Sequence, residues 1–182
     1  MTLEEKLLTM IQEKPSFNEV FSILKKMGLS DAFLCAGSLR DFVWSDIEDK
    51  PFDLILGNLD IYYYDPSETY EQYLTKKTEL NQRYSKYLWE LTNLALNNTY
   101  GLKGKSIPDV ISSFPETCSA VGICQSPTGS YQICSPYGLN DLFSEKIKPT
   151  KTYLEKYSAD DFKKRVERKK WLTNFEKTTL EI

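Results

Sequence analysis

The chain has 182 residues, 41% of them hydrophobic and 27% charged, with a formal net charge of −3 at pH 7. That balance predicts a folded globular protein long enough to bury a sizeable core, and excludes a disordered chain. Histidine is absent, which excludes imidazole general bases, Cys/His zinc sites and Ser-His or Cys-His nucleophile pairs; any chemistry must use carboxylates, amines, hydroxyls or thiols.

The cysteines, Cys35, Cys118, Cys124 and Cys134, form no C-x-x-C pair and stand beside small or apolar residues, the pattern of buried thiols in a reducing compartment. The acidic start Met1-Thr2-Leu3-Glu4-Glu5 lacks the basic and apolar stretches of a signal peptide, and no apolar run reaches the roughly 18 residues of a membrane span. A cytoplasmic protein with no membrane partner is expected. Mild acidity gives no support to tight duplex binding and leaves local basic patches open.

In chain order, Thr2 with Glu5 and Ser16 with Glu19 have the spacing of capping boxes. Each opens a stretch with helical apolar spacing, Leu3, Leu7, Ile11 and then Phe17, Val20, Phe21, Leu24. Pro15 separates the two helices and Gly28 closes the second. Phe33 to Ala36 reads as a short buried strand running into a tight turn at Gly37-Ser38, after which Leu39, Phe42 and Val43 give a helix its apolar face. Pro51 and Gly57 bracket the connection to an aromatic-rich strand, Leu59 to Tyr64. At Asp65-Pro66-Ser67-Glu68 an N-cap, an N1 proline and an N3 glutamate coincide, predicting a helix from there to about Arg83. Tyr87 to Leu91 is a third strand, and Ala120 to Cys124 and Tyr131 to Cys134 flank the hairpin turn Ser126-Pro127-Thr128-Gly129. Ser158-Ala159-Asp160-Asp161 caps a last helix with Phe162, Val166 and Lys169 on one face, ending near Trp171 or Phe175. No internal repeat is visible.

This order predicts an α/β (α+β) protein with a mixed central β-sheet flanked by helices, the hairpin antiparallel and the helix-linked strands parallel. Residues 1–30 form N-terminal helices packed on a core of residues 31–150, and residues 151–182 a C-terminal helical segment of the same domain.

Alternation along a strand puts Asn58 and Asp60 on one face, beside the amides that head the helix after Gly37. A helix N-terminus with a glycine-serine turn binds phosphate oxygens, and carboxylates across from it can hold Mg²⁺ bridging those phosphates; a nucleoside triphosphate suits that geometry. Glu90 on the next strand is the best placed third carboxylate for a two-metal arrangement. Read alone, Gly37-Ser38 is a strand-to-helix turn before it is a site, and only the matching strand brings the two readings level; Glu90 is equally a solvent-facing residue, and Asp65 a helix cap rather than a ligand. Aspartate at 60 is a poor strand former in its aromatic, β-branched surroundings, and a metal would supply its reason.

The motifs that carry a closer likeness are Ala36-Gly37-Ser38-Leu39-Arg40-Asp41-Phe42-Val43-Trp44, Asn58-Leu59-Asp60-Ile61-Tyr62, Trp89-Glu90-Leu91-Thr92-Asn93, Phe114-Pro115-Glu116-Thr117-Cys118 and Pro136-Tyr137-Gly138-Leu139-Asn140-Asp141. Together they resemble the nucleotidyltransferase fold of DNA polymerase beta and of the CCA-adding enzyme head domain, and more narrowly a bacterial family of small nucleotidyltransferase-like proteins. The resemblance implies a protein that binds a nucleoside triphosphate with Mg²⁺ (or Mn²⁺) and transfers a nucleotidyl group to an acceptor hydroxyl on RNA or a protein. Gly37, Ser38 and Arg40 would bind the nucleotide, Asn58, Asp60 and Glu90 the metal, and Asp60, Glu90 and Arg40 would be catalytic. The family pattern has two aspartates separated by one residue, and here the first is Asn58; Asp41 likewise replaces a usual asparagine after the basic Arg40. These departures keep open an alternative, a catalytically silent interaction or RNA-binding module on the same fold.

Two further stretches bear on partners. Six of the eight residues from Lys163 to Lys170 are basic, a solvated helix face or a contact to triphosphate or RNA, with Lys164 and Arg168 expected to share a face. Lys103 and Lys105 lie in a glycine loop that could fold over a nucleotide, and Tyr62 and Tyr64 share the Asp60 face, to stack a base or pack on a helix.

Overall fold

The computed structural model describes residues 1–96, 101 and 104–182, so Lys103 lies outside the described residues. Helix α1 (Leu3–Glu13) opens on the expected box: the Glu5 amide donates to Thr2 Oγ1 at 3.1 Å and the Thr2 amide to Glu5 Oε2 at 2.6 Å. The second box does not form. Helix α2 (Pro15–Lys26) takes Pro15 into its first turn and Lys14 as its N-cap, because proline's fixed φ is already helical. Ser16 is therefore inside the helix with a buried, unpartnered Oγ, and Glu19 pairs with Lys86 at 2.9 Å.

Five strands, β1 (Phe33–Cys35), β2 (Asn58–Tyr63), β3 (Leu88–Asn93), β4 (Gly122–Gln125) and β5 (Tyr131–Cys134), form a mixed sheet in the order β3-β2-β1-β4-β5. Helix α3 (Gly37–Ile47) joins β1 to β2, and α4 (Tyr70–Arg83) joins β2 to β3. Only the second of these linked pairs is parallel; β1 and β2 run antiparallel, against expectation. The connection after α3 accounts for this: it carries the chain back to the level where α3 began, so that Pro51, Phe52 and Asp53 face the same cavity as Gly37.

Helix α4 also starts later than expected, at Tyr70, on a Thr69/Gln72 capping box. Asp65 instead closes a turn, its Oδ1 accepting from the Ser67 amide at 2.9 Å and the Ser67 hydroxyl at 2.6 Å. Glu68 cannot serve as an N3 residue because it points inward, where Tyr63 Oη and Asn93 Nδ2 donate to its Oε2 and Lys76 pairs with its Oε1.

The sheet divides the interior. Leu59, Ile61 and Tyr63 alternate into the main core with Leu34, Trp89, Leu91 and Ile123, where α1 and α2 add Leu7, Ile11 and Phe17. The opposite face carries a smaller cluster of Phe33, Cys35, Ile111, Ala120 and Cys124, with Tyr62 and Phe114 against it. Asp60 alternates onto that second face.

After α5 (Ile107–Ser112) and the β4–β5 hairpin, whose turn uses Gly129 at φ 91°, come α6 (Asn140–Phe143) and α7 (Lys151–Leu154). Helix α8 (Ala159–Lys169) opens on the expected Ser158/Asp161 box, and Lys170 at φ 57° breaks it before α9 (Trp171–Asn174). Phe162, Val166 and Trp171 join the main core. A parallel pair absent from the sequence reading, β6 (Lys146–Ile147) with β7 (Thr179–Leu180), ties down the tail. The four cysteines are free thiols, and three are buried. Among the described residues no helix is long and apolar enough to cross a membrane.

Candidate functional site

Strand β1 ends inside the core, so the chain must turn at once into α3. Ala36 makes that turn at φ 63° and ψ −125°, a state that costs an L-residue on the order of 1–3 kcal/mol. It is held because the Ala36 amide donates to the Val121 carbonyl at 3.0 Å, while its own carbonyl accepts from the Leu39 and Arg40 amides. The amides of Gly37 and Ser38 then head the helix, where no intrahelical acceptor exists for them. A methyl built on Gly37 would meet nothing nearer than Arg40 Nη2 at 3.4 Å. Packing therefore does not demand glycine here, whereas close approach of a ligand would. The Ser38 hydroxyl is buried with no hydrogen-bond partner.

Gly37 and Ser38 line a cavity of about 360 Å³ together with Asp41, Asn58, Asp60 and Lys169, with the returning connection on its other side. A second cavity, about 250 Å³, shares Gly37, Asp60 and Lys169 and adds Arg40, Arg165 and Trp171. Asp60 thus stands where the two meet. Beneath it the sheet is apolar: Asp60 has Cys35 as its register partner on one side and Glu90 on the other, and Cys35 is followed by Gly122 and Cys134. Gly122 permits that close stack, since a Cβ there would lie 2.8 Å from Ile111 Cδ1 and 2.9 Å from Cys35 Sγ. Burial over this floor, and secondarily the charge of Glu90, pushes the Asp60 carboxyl up to about 6, opposed by Lys169 and Arg40. The same burial raises the Cys35 thiol.

The structure therefore brings Gly37, Ser38, Asn58 and Asp60 to one cavity. Glu90 is exposed on β3 beside Asp60 and lines neither cavity. Arg40 is buried and held on several sides: Nη1 donates to Ser119 Oγ at 2.8 Å, Nε and Nη2 donate to Asp41 Oδ1, and its guanidinium lies 4.4 Å from the Trp171 ring and 5.5 Å from Trp44. Lys169 is the site residue that sequence reasoning missed. The basic run contained the signal, because Arg165 and Lys169 are also one helical turn apart, and both reach the second cavity. Tyr64 is exposed, while Tyr62 packs against Phe114 with ring centroids 6.0 Å apart.

A protein-family model described as Nucleotidyltransferase matches residues 22–180. The chain belongs to the nucleotidyltransferase family. A solved relative, an NMR structure described as revealing a CCA-adding enzyme head domain, superposes on this chain with a TM-score of 0.80 at 28% identity, over 97% of this chain and 95% of the other. Two apo forms of a tRNA-processing enzyme share the fold, at TM-scores of 0.54 and identities of 17% and 16%; they align with 90% and 89% of this chain, which spans only 42% and 44% of theirs. No curated protein matches the sequence.

Nucleotidyltransferases generally act on a nucleoside triphosphate with a divalent metal, and the donor set at Asp60 can be weighed against that. Among the described residues no three carboxylates or thiols converge on one point. Two carboxylates in register on adjacent parallel strands, Asp60 and Glu90, do match how Mg²⁺ is commonly held, by one or two carboxylates plus substrate phosphates. The orphaned Ser38 hydroxyl, in the same cavity as Asp60, gives such phosphates a donor. The residues fit one cation that arrives with a polyphosphate.

Proposed function

We propose that this nucleotidyltransferase binds a nucleoside triphosphate with Mg²⁺ in the Asp60 cavity and transfers its nucleotidyl group to an acceptor hydroxyl. The observation that supports this best is the lining of one cavity by a helix N-terminus with an unpartnered serine hydroxyl and by a half-buried aspartate facing it. Asp60 and Glu90, with the Asn58 amide oxygen, would hold the cation, which when bound would neutralise phosphate charge. Gly37 and Ser38 donate to phosphate oxygens through their amides and the Ser38 hydroxyl, and Lys169, in both cavities, adds a positive charge. Arg40, fixed by Ser119, Asp41 and Trp171, acts as a preorganised charge toward the departing pyrophosphate. In the transfer the acceptor oxygen bonds to the α-phosphorus, the α–β anhydride bond breaks, pyrophosphate leaves, and the hydroxyl proton passes to solvent.

Calorimetric titration of ATP and CTP in the presence of Mg²⁺ tests the binding half. Heat of binding is expected for the natural protein and its loss in Asp60→Ala; absence of heat at millimolar nucleotide rejects the reading. A second reading, a silent interaction or RNA-binding module, is favoured by Asn58 in place of an acid. Incubation with labelled nucleotides and an RNA pool separates the two, since incorporation above background requires an enzyme.

A further inference from the structure

A third cavity, about 520 Å³, opens on the other flank of α8 and is lined by Lys156, Tyr157, Lys164 and Arg168, among others. Among the described residues no side-chain hydrogen bond or ion pair within 4.0 Å engages Lys156, Lys164 or Arg168, although the Asp161 carboxyl, lowered first by its hydrogen bonds to Ser158, is lowered further by nearby Lys164. The cavity's one carboxylate, Asp161, is committed to the helix cap, where it accepts from the Ser158 amide and hydroxyl. Three cations held in no salt bridge thus line one hollow of a protein that is acidic overall. Beside them the rings of Tyr153 and Tyr157 stack at 4.8 Å and 28°, and Tyr157 is 54% exposed.

Helix α8 arranges its charges in two rows. Lys164 and Arg168, one turn apart, face this third cavity; Arg165 and Lys169, rotated by about 100°, face the cavity beside Asp60. Arg165, paired with the buried Glu116, and Pro115 belong to both hollows and join them. We propose that the third cavity is the acceptor subsite and takes nucleotide units of a single-stranded nucleic acid, its phosphates on Lys156, Lys164 and Arg168, a base on the Tyr157 ring, and its terminal hydroxyl directed past Arg165 toward Asp60. This rests on the reading of the Asp60 cavity as the nucleotide site. An acidic peptide would use the cations and leave the flat ring faces idle, and a duplex would offer no unpaired base to stack; a single strand uses both.

Fluorescence anisotropy with a labelled ten-nucleotide RNA and the full chain tests it, with a polyglutamate peptide of equal charge as competitor. The strand should bind and resist the peptide. The Lys164→Ala/Arg168→Ala double variant should lose at least tenfold in affinity and flatten the log–log salt slope by ~1.4, at ~0.7 per phosphate contact on a single strand. Tyr157→Ala should lose about tenfold with an unchanged slope. These side chains are on the surface, and circular dichroism verifies that each variant folds. Natural affinity and slope in the double variant, or displacement by the peptide at equal concentration, overturns the proposal. Asp60→Ala keeps the failure modes apart: the acceptor subsite predicts that it retains strand binding, whereas intact ATP–Mg²⁺ binding in that variant would reject the nucleotide site alone.

Discussion

Glu145 offers a sharp test of the energetics, because it is a carboxyl with nowhere to put a charge. It sits just before β6 at φ 52°, 2% exposed, with Oε1 buried and unpartnered. Its neighbour Glu48, at the end of α3, accepts from the Glu176 amide at 3.0 Å, the Lys177 amide at 2.7 Å and Lys50 Nζ at 2.9 Å. Two adjacent buried carboxyls cannot both ionise cheaply. Burial, then the hydrogen bond and charge of Glu48, push Glu145 from 4.5 up to about 7; Glu48 is held at about 2, burial opposing and Lys50 with the backbone amides prevailing. Between pH 4.5 and about 7 the folded chain keeps a proton on Glu145 that the unfolded chain has released, so stability falls as pH rises through that window and levels off above it. At ~1.36 kcal/mol per pH unit the loss is on the order of 3 kcal/mol, or roughly 6–12 °C in Tm for a chain of this size. Glu145→Gln keeps a donor toward Glu48 and cannot ionise. Its stability relative to the natural protein should therefore improve by about 3 kcal/mol between pH 5 and pH 8, measured by urea melts at both values. Other titrating groups are common to both proteins and cancel. Parallel pH profiles for the two would refute the reasoning.

Other substitutions probe the site and its supports. Arg40→Lys removes a guanidinium that stacks on Trp171 and forks onto Asp41, neither of which an ammonium reproduces; it should lower stability by ~2–3 kcal/mol in thermal melts, and an unchanged Tm would contradict the described packing. Asn58→Asp adds the missing charge beside Asp60, so Mn²⁺ affinity read by electron paramagnetic resonance should rise at least tenfold; no change would mean these residues do not share a cation. Gly122→Ala drives a methyl into Ile111 and Cys35, an overpacking worth ~1–3 kcal/mol that a urea melt should detect.

Local signals in the sequence found much of the fold because they are satisfied locally. The Thr2/Glu5 and Ser158/Asp161 boxes and the Gly129 turn involve residues three or four apart and form as expected. The Ser16/Glu19 and Asp65/Glu68 signals failed where something else claimed the same atoms, a proline at the first helical position in one case and a buried Tyr63–Glu68–Asn93 network in the other. Strands β6 and β7 have two residues each, too few for any alternation to show. Gly37, Ser38, Asn58 and Asp60 were recognisable because a turn and an alternating strand fix their directions. Lys169 was not, since a lysine in the last turn of a helix is explained by the helix dipole alone, and only the packing of Phe162 and Val166 into the core sets which way it faces.

The roof over Arg40 comes from Trp171, and Arg165 and Lys169 arrive from the same late stretch of chain, more than a hundred residues after the Gly37 turn and Asp60. During synthesis the Gly37 turn and Asp60 emerge long before the residues that wall their cavity. The hollow at Asp60 therefore gains its full lining only once the final helices have left the ribosome and docked.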